Sequence, residues 1–103
     1  MNNITKVSDI TTADLWEYLN PADDMTASDA NTLNNLLNIA KAFIKDYTGR
    51  EDLDAFQDFV IVALVLVQDM WDNRTLYVDK SNLNKVIESI LGMHSVNLLP
   101  EES

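Results

Sequence analysis

The stretch FVIVALVLV, residues 59–67, is a run of nine apolar residues in a 103-residue chain whose formal net charge is −10. Such a run can be a buried strand, a membrane span, or a helix that is covered on more than one side. A membrane-spanning helix needs about 20 mostly apolar residues. This run is bounded by Asp58 on one side and by Gln68 and Asp69 on the other, so it is too short to cross a bilayer.

A buried strand is a genuine alternative, because Val and Ile favour sheets and the length of the run does not exclude one. A lone central strand would need partner strands, however, and neither flanking segment has the pattern of one. On a helical wheel the region divides into a broad apolar face and an acidic face. The apolar face comprises Phe56, Phe59, Val60, Ala63, Leu64, Val67, Met70 and Trp71. We therefore predict a helix from Leu53 to about Asn73.

Three further apolar residues of this helix, Ile61, Val62 and Val65, fall among the polar positions of the wheel. A helix that is apolar all round over part of its length is normally buried all round. Either the fourth helix or the C-terminal tail covers this second patch within the same chain, or the patch is a subunit interface, since exposed apolar patches on small domains usually mark contact sites. The small size of the domain favours self-assembly.

The rest of the chain has three helical patterns with recognisable start and stop signals. Capping boxes begin at Thr11 and at Thr26, where a hydroxyl can satisfy an early helical N–H and a carboxylate faces the positive end of the helix dipole. They predict a short helix over 12–19 and a longer one that ends near Thr48, before a glycine suited to a left-handed cap. A last amphipathic helix is predicted from a cap at Ser81 to a second glycine at position 92.

These patterns predict an all-α fold, a small bundle of about four helices with a central apolar helix and flexible termini. Residues 1–10 form a polar N-terminal arm, residues 11–92 the helical domain, and residues 93–103 a C-terminal tail. A single domain is expected from the length of the chain. A domain of this size buries only about two-thirds of the surface that it exposes when unfolded.

Composition excludes several classes of function. The chain has 17 acidic against 7 basic residues, which disfavours a sequence-specific DNA-binding protein, because duplex affinity comes largely from Lys and Arg that neutralise phosphates. It has no cysteine, so disulfides and thiolate metal sites are excluded. The first ten residues lack the basic flank and apolar core of a signal peptide, and we expect the protein to stay in the cytoplasm where it is made.

The sequence offers little to support catalysis. His94 is the sole histidine, so a histidine metal cluster or a Ser-His-Asp arrangement would rest on one residue, and we interpret it as a surface or tail histidine. The acidic groups at 23–24, 51–54 and 69–72 do not have the spacing of a calcium loop. Phosphate-binding loops, a nucleophile elbow and zinc spacing are also missing. We expect no catalytic residue, no metal and no cofactor, and thus no enzyme.

Arg74 is the charged residue that stands out, because it follows Trp71 by three residues at the end of the apolar face. A cation at this position suits a helix C-terminus and can stack on the indole ring. Alternatively, Arg74 forms an ion pair with a carboxylate of another subunit.

Three motifs follow one another along the chain: DLWEYL (14–19), LLNIAKAFIKDYTGR (36–50) and FVIVALVLVQDMWDNR (59–74). The second ends in aromatic-x-Gly-Arg and the third in aromatic-x-x-Arg. In order and spacing they resemble the head-tail connector (adaptor) proteins of long-tailed double-stranded DNA phages and prophages, over about residues 10–92. The chain departs from that pattern in REDLDAF, where the family often has Pro, and in its acidic end, SVNLLPEES, where many members have a basic residue.

The resemblance implies a homo-oligomeric ring between the phage portal protein and a head-completion or tail-side protein, with genomic DNA passing non-specifically through its channel. It implies a location at the virion head-tail junction, after synthesis in the bacterial host cytoplasm, and no membrane partner. The residues expected at subunit or partner contacts are Ile61, Val62, Val65, Leu66, Trp71, Arg74, Leu98 and Leu99.

Two other functions fit parts of the sequence. A small acidic inhibitor could mimic DNA and block a nucleic-acid-binding enzyme, but its carboxylates should lie along one exposed face, whereas these cluster at helix starts and loops. A generic helical adaptor that binds one partner helix in a groove would explain the apolar patch equally well, but not the ordered set of motifs.

Overall fold

The structure of the protein, a computed structural model, describes residues 4–96. This part of the chain contains four α-helices and three single-turn 3-10 helices, and no β-strand. The α-helices are α1 (Thr12–Leu19), α2 (Ala27–Thr48), α3 (Asp58–Asn73) and α4 (Lys85–His94), and the 3-10 turns are Val7–Asp9, Leu53–Ala55 and Lys80–Asn82. The all-α prediction is confirmed. No helix in the described range is both long and apolar enough to cross a membrane.

The core lies between α2 and α3, which pack along each other, and both of these helices contact α1 and α4. Helix α3 contributes more fully buried side chains than any other element: Phe59, Val60, Val62, Ala63, Leu64, Leu66, Val67 and Met70. They face side chains of α1, α2 and α4, including Leu15, Leu33, Leu37, Ile44, Ile87 and Leu91. The nine-residue apolar run is therefore a helix that other helices of the same chain cover on several sides.

The ends of α1 and α2 follow the local signals in the sequence. Thr11 Oγ1 accepts a hydrogen bond from the Asp14 N–H at 3.1 Å, and Thr26 Oγ1 accepts one from the Asp29 N–H at 3.0 Å. In each box the aspartate carboxylate accepts the backbone N–H of the threonine in return. Gly49 ends α2 with φ 72°, in the left-handed region where glycine carries no steric cost.

Two helix starts differ from the predictions. Helix α3 begins at Asp58 rather than Leu53, because the segment before it forms a separate 3-10 turn and the backbone is extended at Phe56. Helix α4 begins at Lys85 rather than near Ser81, and it continues to His94, past the predicted end at Gly92. Its cap is Asn84, whose side chain accepts a hydrogen bond from the N–H of Val86 at 2.8 Å.

The N-terminal segment packs against the domain over residues 4–10. Val7 and Ile10 are buried in the core. Ser8 donates both its backbone N–H and its hydroxyl to the Asp54 carboxylate, at 3.0 and 2.6 Å. These two hydrogen bonds lower the pKa of Asp54, because they stabilise the ionised carboxylate.

Candidate interaction surface

The structure divides the second apolar patch of α3 into a covered and an exposed part. Val62 and Leu66, one helical turn apart, are fully buried, so the chain itself covers two residues that the sequence suggested as interface. Ile61 is 53 % exposed, whereas Val65 is half-buried at the edge of the core. Cover within the chain therefore accounts for Val62 and Leu66, whereas a subunit contact at Ile61 and Val65 stays a prediction.

Helix α4 packs against α3 on the side that carries Val62 and Leu66. It runs antiparallel to α3, because His94 at its end lies against Asp58 at the start of α3, with 3.1 Å between His94 Nε2 and Asp58 Oδ2. At the other end, Leu83 precedes α4 and lines the same groove as Leu66 near the end of α3.

This antiparallel alignment places exposed apolar residues of α4 beside those of α3. Positions 86, 90 and 93 share one flank of α4, on the side of the helix pair that also carries Ile61 and Val65. Val86 and Met93 are 65 % and 67 % exposed, and Ile90 is half-buried. We call this surface the outer apolar face: Ile61, Val65, Val86, Ile90 and Met93. The sequence did not reveal the α4 residues, because their relation to α3 depends on tertiary packing.

Carboxylates lie at both ends of the α3 part of this face. Asp58 is one turn before Ile61, and Asp69 and Asp72 are one and two turns after Val65 on the same side of the helix. Partial burial raises the pKa of Asp69, and the nearby charge of Asp72 raises it further. The outer apolar face is thus flanked by negative charge.

Besides the outer apolar face, the domain has a cleft between the start of α2 and the end of α3. It has a volume of about 570 Å³. We call it the Arg74 cleft. Its lining includes Leu36, Met70, Trp71, Arg74, Leu76 and Thr32. Leu36 and Met70 are buried at its base, whereas Leu76 is 69 % exposed at its rim.

Trp71 and Arg74, both predicted as contact residues, meet in this cleft. Trp71 also packs edge-on against Trp16 of α1, with ring centroids 5.9 Å apart. Arg74 ends α3 in a left-handed conformation, φ 55°, and its backbone N–H donates to the Met70 carbonyl. Within residues 4–96 its guanidinium has no carboxylate at ion-pair distance and no aromatic ring beneath it. The expected stacking on Trp71 is therefore not present, and an ion pair with another subunit stays a prediction.

His94 packs between other elements of the domain and is not the surface or tail histidine that we expected from the sequence. Its ring stacks on Phe56, with centroids 4.0 Å apart, and meets Phe59 edge-on at 5.3 Å. Arg50 of the loop after α2 donates its Nε–H to the carbonyl of His94. The residue thereby joins the end of α2, the start of α3 and the end of α4.

The acidic groups of the sequence are placed mainly at helix ends and in local ion pairs. Asp52 lies 3.3 Å from Arg50, and Glu51 lies 3.6 Å from Lys45. Among residues 4–96 no group of three or more His, Cys, Asp or Glu side chains is arranged to hold a metal ion. The predicted contact residues Leu98 and Leu99 lie outside the described residues.

Comparison of the chain with protein-family models, with curated proteins and with solved structures found no match. The resemblance to head-tail connectors therefore rests on the three motifs in the sequence.

Proposed function

We propose that this protein is a structural subunit of a phage head-tail connector. Copies of it form an oligomeric ring between the portal and a head-completion or tail-side protein, and genomic DNA passes through the channel of the ring. The observation that carries the proposal is the outer apolar face, a hydrophobic surface on a small helical domain with a formal net charge of −10. The order of the three sequence motifs supplies the specific assignment.

Burial of the outer apolar face in a contact would favour association. Burial of a large aliphatic side chain stabilises a contact by about 1.5–3 kcal/mol when it moves from full exposure to full burial. Ile61, Val86 and Met93 each retain more than half of their exposure, so their burial would offset part of the entropic cost of association. Stable interfaces bury about 800 Å² on each partner, so a ring contact needs further surface besides these side chains.

A closed ring also needs two different surfaces on every subunit, because a head-to-tail contact pairs one patch with another. The outer apolar face and the Arg74 cleft are two such surfaces. They differ in charge: the first is flanked by carboxylates, and the second contains a guanidinium that has no ion pair within residues 4–96. An overall acidic subunit also suits a channel through which DNA moves without binding, because carboxylates repel the phosphate backbone.

The acidic DNA-mimic function has less support. Several carboxylates are used within the chain, by the capping boxes of α1 and α2 and by local hydrogen bonds at Asp54 and Asp79. A mimic needs carboxylates presented outward along one face. The generic adaptor would use the same outer apolar face, and the oligomeric state separates it from the connector.

The test is the native mass of the purified protein across a concentration series, measured for wild type, Ile61→Asp and Asn38→Asp. We expect wild type to form large species, and Ile61→Asp to remain monomeric with an unchanged helical circular-dichroism signal, because the variant would bury an unpaired carboxylate in an apolar contact. Asn38→Asp adds the same charge at an exposed position of α2, and it should assemble as wild type does. Equal assembly of all three chains would count against the outer apolar face as a contact.

A further inference from the structure

Building on the proposed ring, we infer that the C-terminal segment Leu98–Glu102 of one copy docks in the Arg74 cleft of a neighbouring copy. Leu98 and Leu99 occupy the apolar base of the cleft, and Glu101 or Glu102 pairs with Arg74. The contact assigns a partner to a cleft that combines a buried apolar base with a guanidinium that has no ion pair among the described residues.

The cleft has the chemistry to hold a short extended segment with apolar and acidic residues. Its base is formed by Leu36 and Met70, and Trp71 and the exposed Leu76 provide further apolar contact area. Thr32, on the α2 side, adds a hydroxyl that can bond a peptide backbone. Clefts of about this size commonly combine apolar walls with a few polar groups that fix orientation.

The charges of the cleft favour an acidic occupant. Arg74 offers up to five N–H donors, and no described side chain accepts from them. Asp29 also lines the cleft, but its carboxylate accepts the backbone N–H of Thr26 at 3.0 Å as part of the capping box. A carboxylate that enters the cleft can therefore pair with Arg74 in a bidentate, charge-assisted contact.

The chain itself contains a segment with the matching order of residues. After Asn97 the sequence reads LLPEE, residues 98–102, which places two leucines next to two glutamates. Between them stands Pro100, and a residue that precedes proline generally favours extended over helical backbone. Two leucines can then fill the apolar base while a glutamate reaches the guanidinium at the end of α3.

The segment cannot reach the cleft of its own chain. The N–H of Val96 donates to the Thr48 carbonyl at 2.7 Å, so the segment starts at the C-terminal end of α2. Leu36, at the base of the cleft, lies twelve residues earlier in α2, about 18 Å away along the helix. Leu98 extends at most about 7 Å beyond Val96, and Leu99 about 11 Å. The occupant must therefore come from a second copy.

Docking of this kind is a head-to-tail contact, because Val96, which precedes the donor segment, and the acceptor cleft lie at opposite ends of α2. Each copy gives one segment and accepts another, which is the heterologous arrangement that generates rings when the rotation closes. It would also supply contact area beyond the outer apolar face.

The test uses engineered cysteines, since the natural chain has none. A Leu76→Cys chain is mixed with a mass-tagged Glu102→Cys chain and oxidised, and the yield of the mixed disulfide is compared with that from an Asn34→Cys chain in place of Leu76→Cys. Asn34 is exposed on α2, on the side away from the cleft. We expect the Leu76 pair to exceed the control several-fold. Equal yields would overturn the inference.

A charge exchange separates a specific contact from general stickiness. Arg74→Glu in the Leu76→Cys chain should lower the yield to that of the control, and Glu101→Arg in the tail chain should restore it. Loss without restoration would contradict the ion pair.

The experiment distinguishes a failure of tail docking from a failure of the proposed ring. Closed rings that assemble without the Leu76–Glu102 cross-link would overturn tail docking and leave the connector function standing. A specific cross-link in a protein that forms only open chains or dimers would support tail docking and reject the ring.

Discussion

His94 Nε2 lies 3.1 Å from Asp58 Oδ2, and this contact holds the end of α4 against the beginning of α3. The antiparallel alignment that follows has two consequences. It covers Val62 and Leu66 and leaves Ile61 at the surface beside α4 residues. It also starts the C-terminal segment at the end of α2 that lies far from Arg74.

The His94 contact should contribute to folding stability mainly through ring packing. We expect His94→Ala to lower the free energy of unfolding by about 1–3 kcal/mol, the range for loss of a packed side chain, because Phe56 and Phe59 both lose a ring neighbour. His94→Phe keeps the stacking and loses only the bond to Asp58, so its loss should be smaller. Urea unfolding measures both variants. Equal losses would show that the Asp58 bond, and not the packing, dominates.

Core and surface positions of α3 should respond differently to truncation. Leu66→Ala should lower the free energy of unfolding by about 2–5 kcal/mol, because it leaves a cavity in a close-packed core. Ile61→Ala should change it by no more than about 0.5 kcal/mol, as is usual for an exposed site, while it weakens assembly. Denaturant unfolding at a concentration where the protein is monomeric makes the comparison. A small effect of Leu66→Ala would contradict its burial by α4.

The capping box at the start of α2 should stabilise the wall of the Arg74 cleft. Thr26→Ala removes the oxygen that accepts the Asp29 N–H at 3.0 Å and should cost about 1 kcal/mol of unfolding free energy. Thr26→Ser retains a hydroxyl and serves as the matched control, with little change expected. Thermal unfolding of the two variants side by side checks this, and identical melting temperatures would contradict the cap.

Asp69 should destabilise the domain at neutral pH. Its pKa is raised by partial burial and by the charge of Asp72, so the ionised form is less favourable in the folded than in the unfolded chain. Asp69→Asn should therefore raise the free energy of unfolding above the folded-state pKa. The gain should vanish as the pH falls below the ordinary aspartate value, about 3.9, where both states are protonated.

Urea unfolding at pH 7 and near pH 3 tests this dependence on Asp69. Asp46→Asn, at an exposed position of α2, changes the net charge by the same amount and controls for general charge relief. A gain for Asp69→Asn that equals that of Asp46→Asn, or that persists at low pH, would contradict a local cause.

Capping residues in the sequence predicted the helix ends that depend only on contacts between neighbouring residues. Thr11, Thr26 and Gly49 each act through hydrogen bonds or dihedral angles within a few residues, so α1 and the end of α2 could be located without tertiary information. The start of α3 could not, because Leu53 is buried and Asp54 is bound by Ser8, which lies 46 residues away. Ser81 was predicted as the cap of α4, but Asn84 takes that place, and both residue types are favoured at helix N-caps.

The residues predicted to form contacts show the same difference between local and tertiary information. The helical wheel grouped Ile61, Val62 and Val65 on one side of α3, but it could not separate the exposed Ile61 from the buried Val62. That separation depends on the position of α4, which Ile87 and Leu91 fix through core contacts. Arg74 stood out in the sequence for its position after Trp71, whereas its lack of a partner is a tertiary property of the described chain.

The most direct test of the connector function is electron microscopy of negatively stained protein at the highest concentration reached in the native-mass series, alone and with a purified portal. The account predicts closed rings with an open central channel, and no such rings from Ile61→Asp. A protein that stays monomeric or dimeric in both samples, with no particle on the portal, would contradict it.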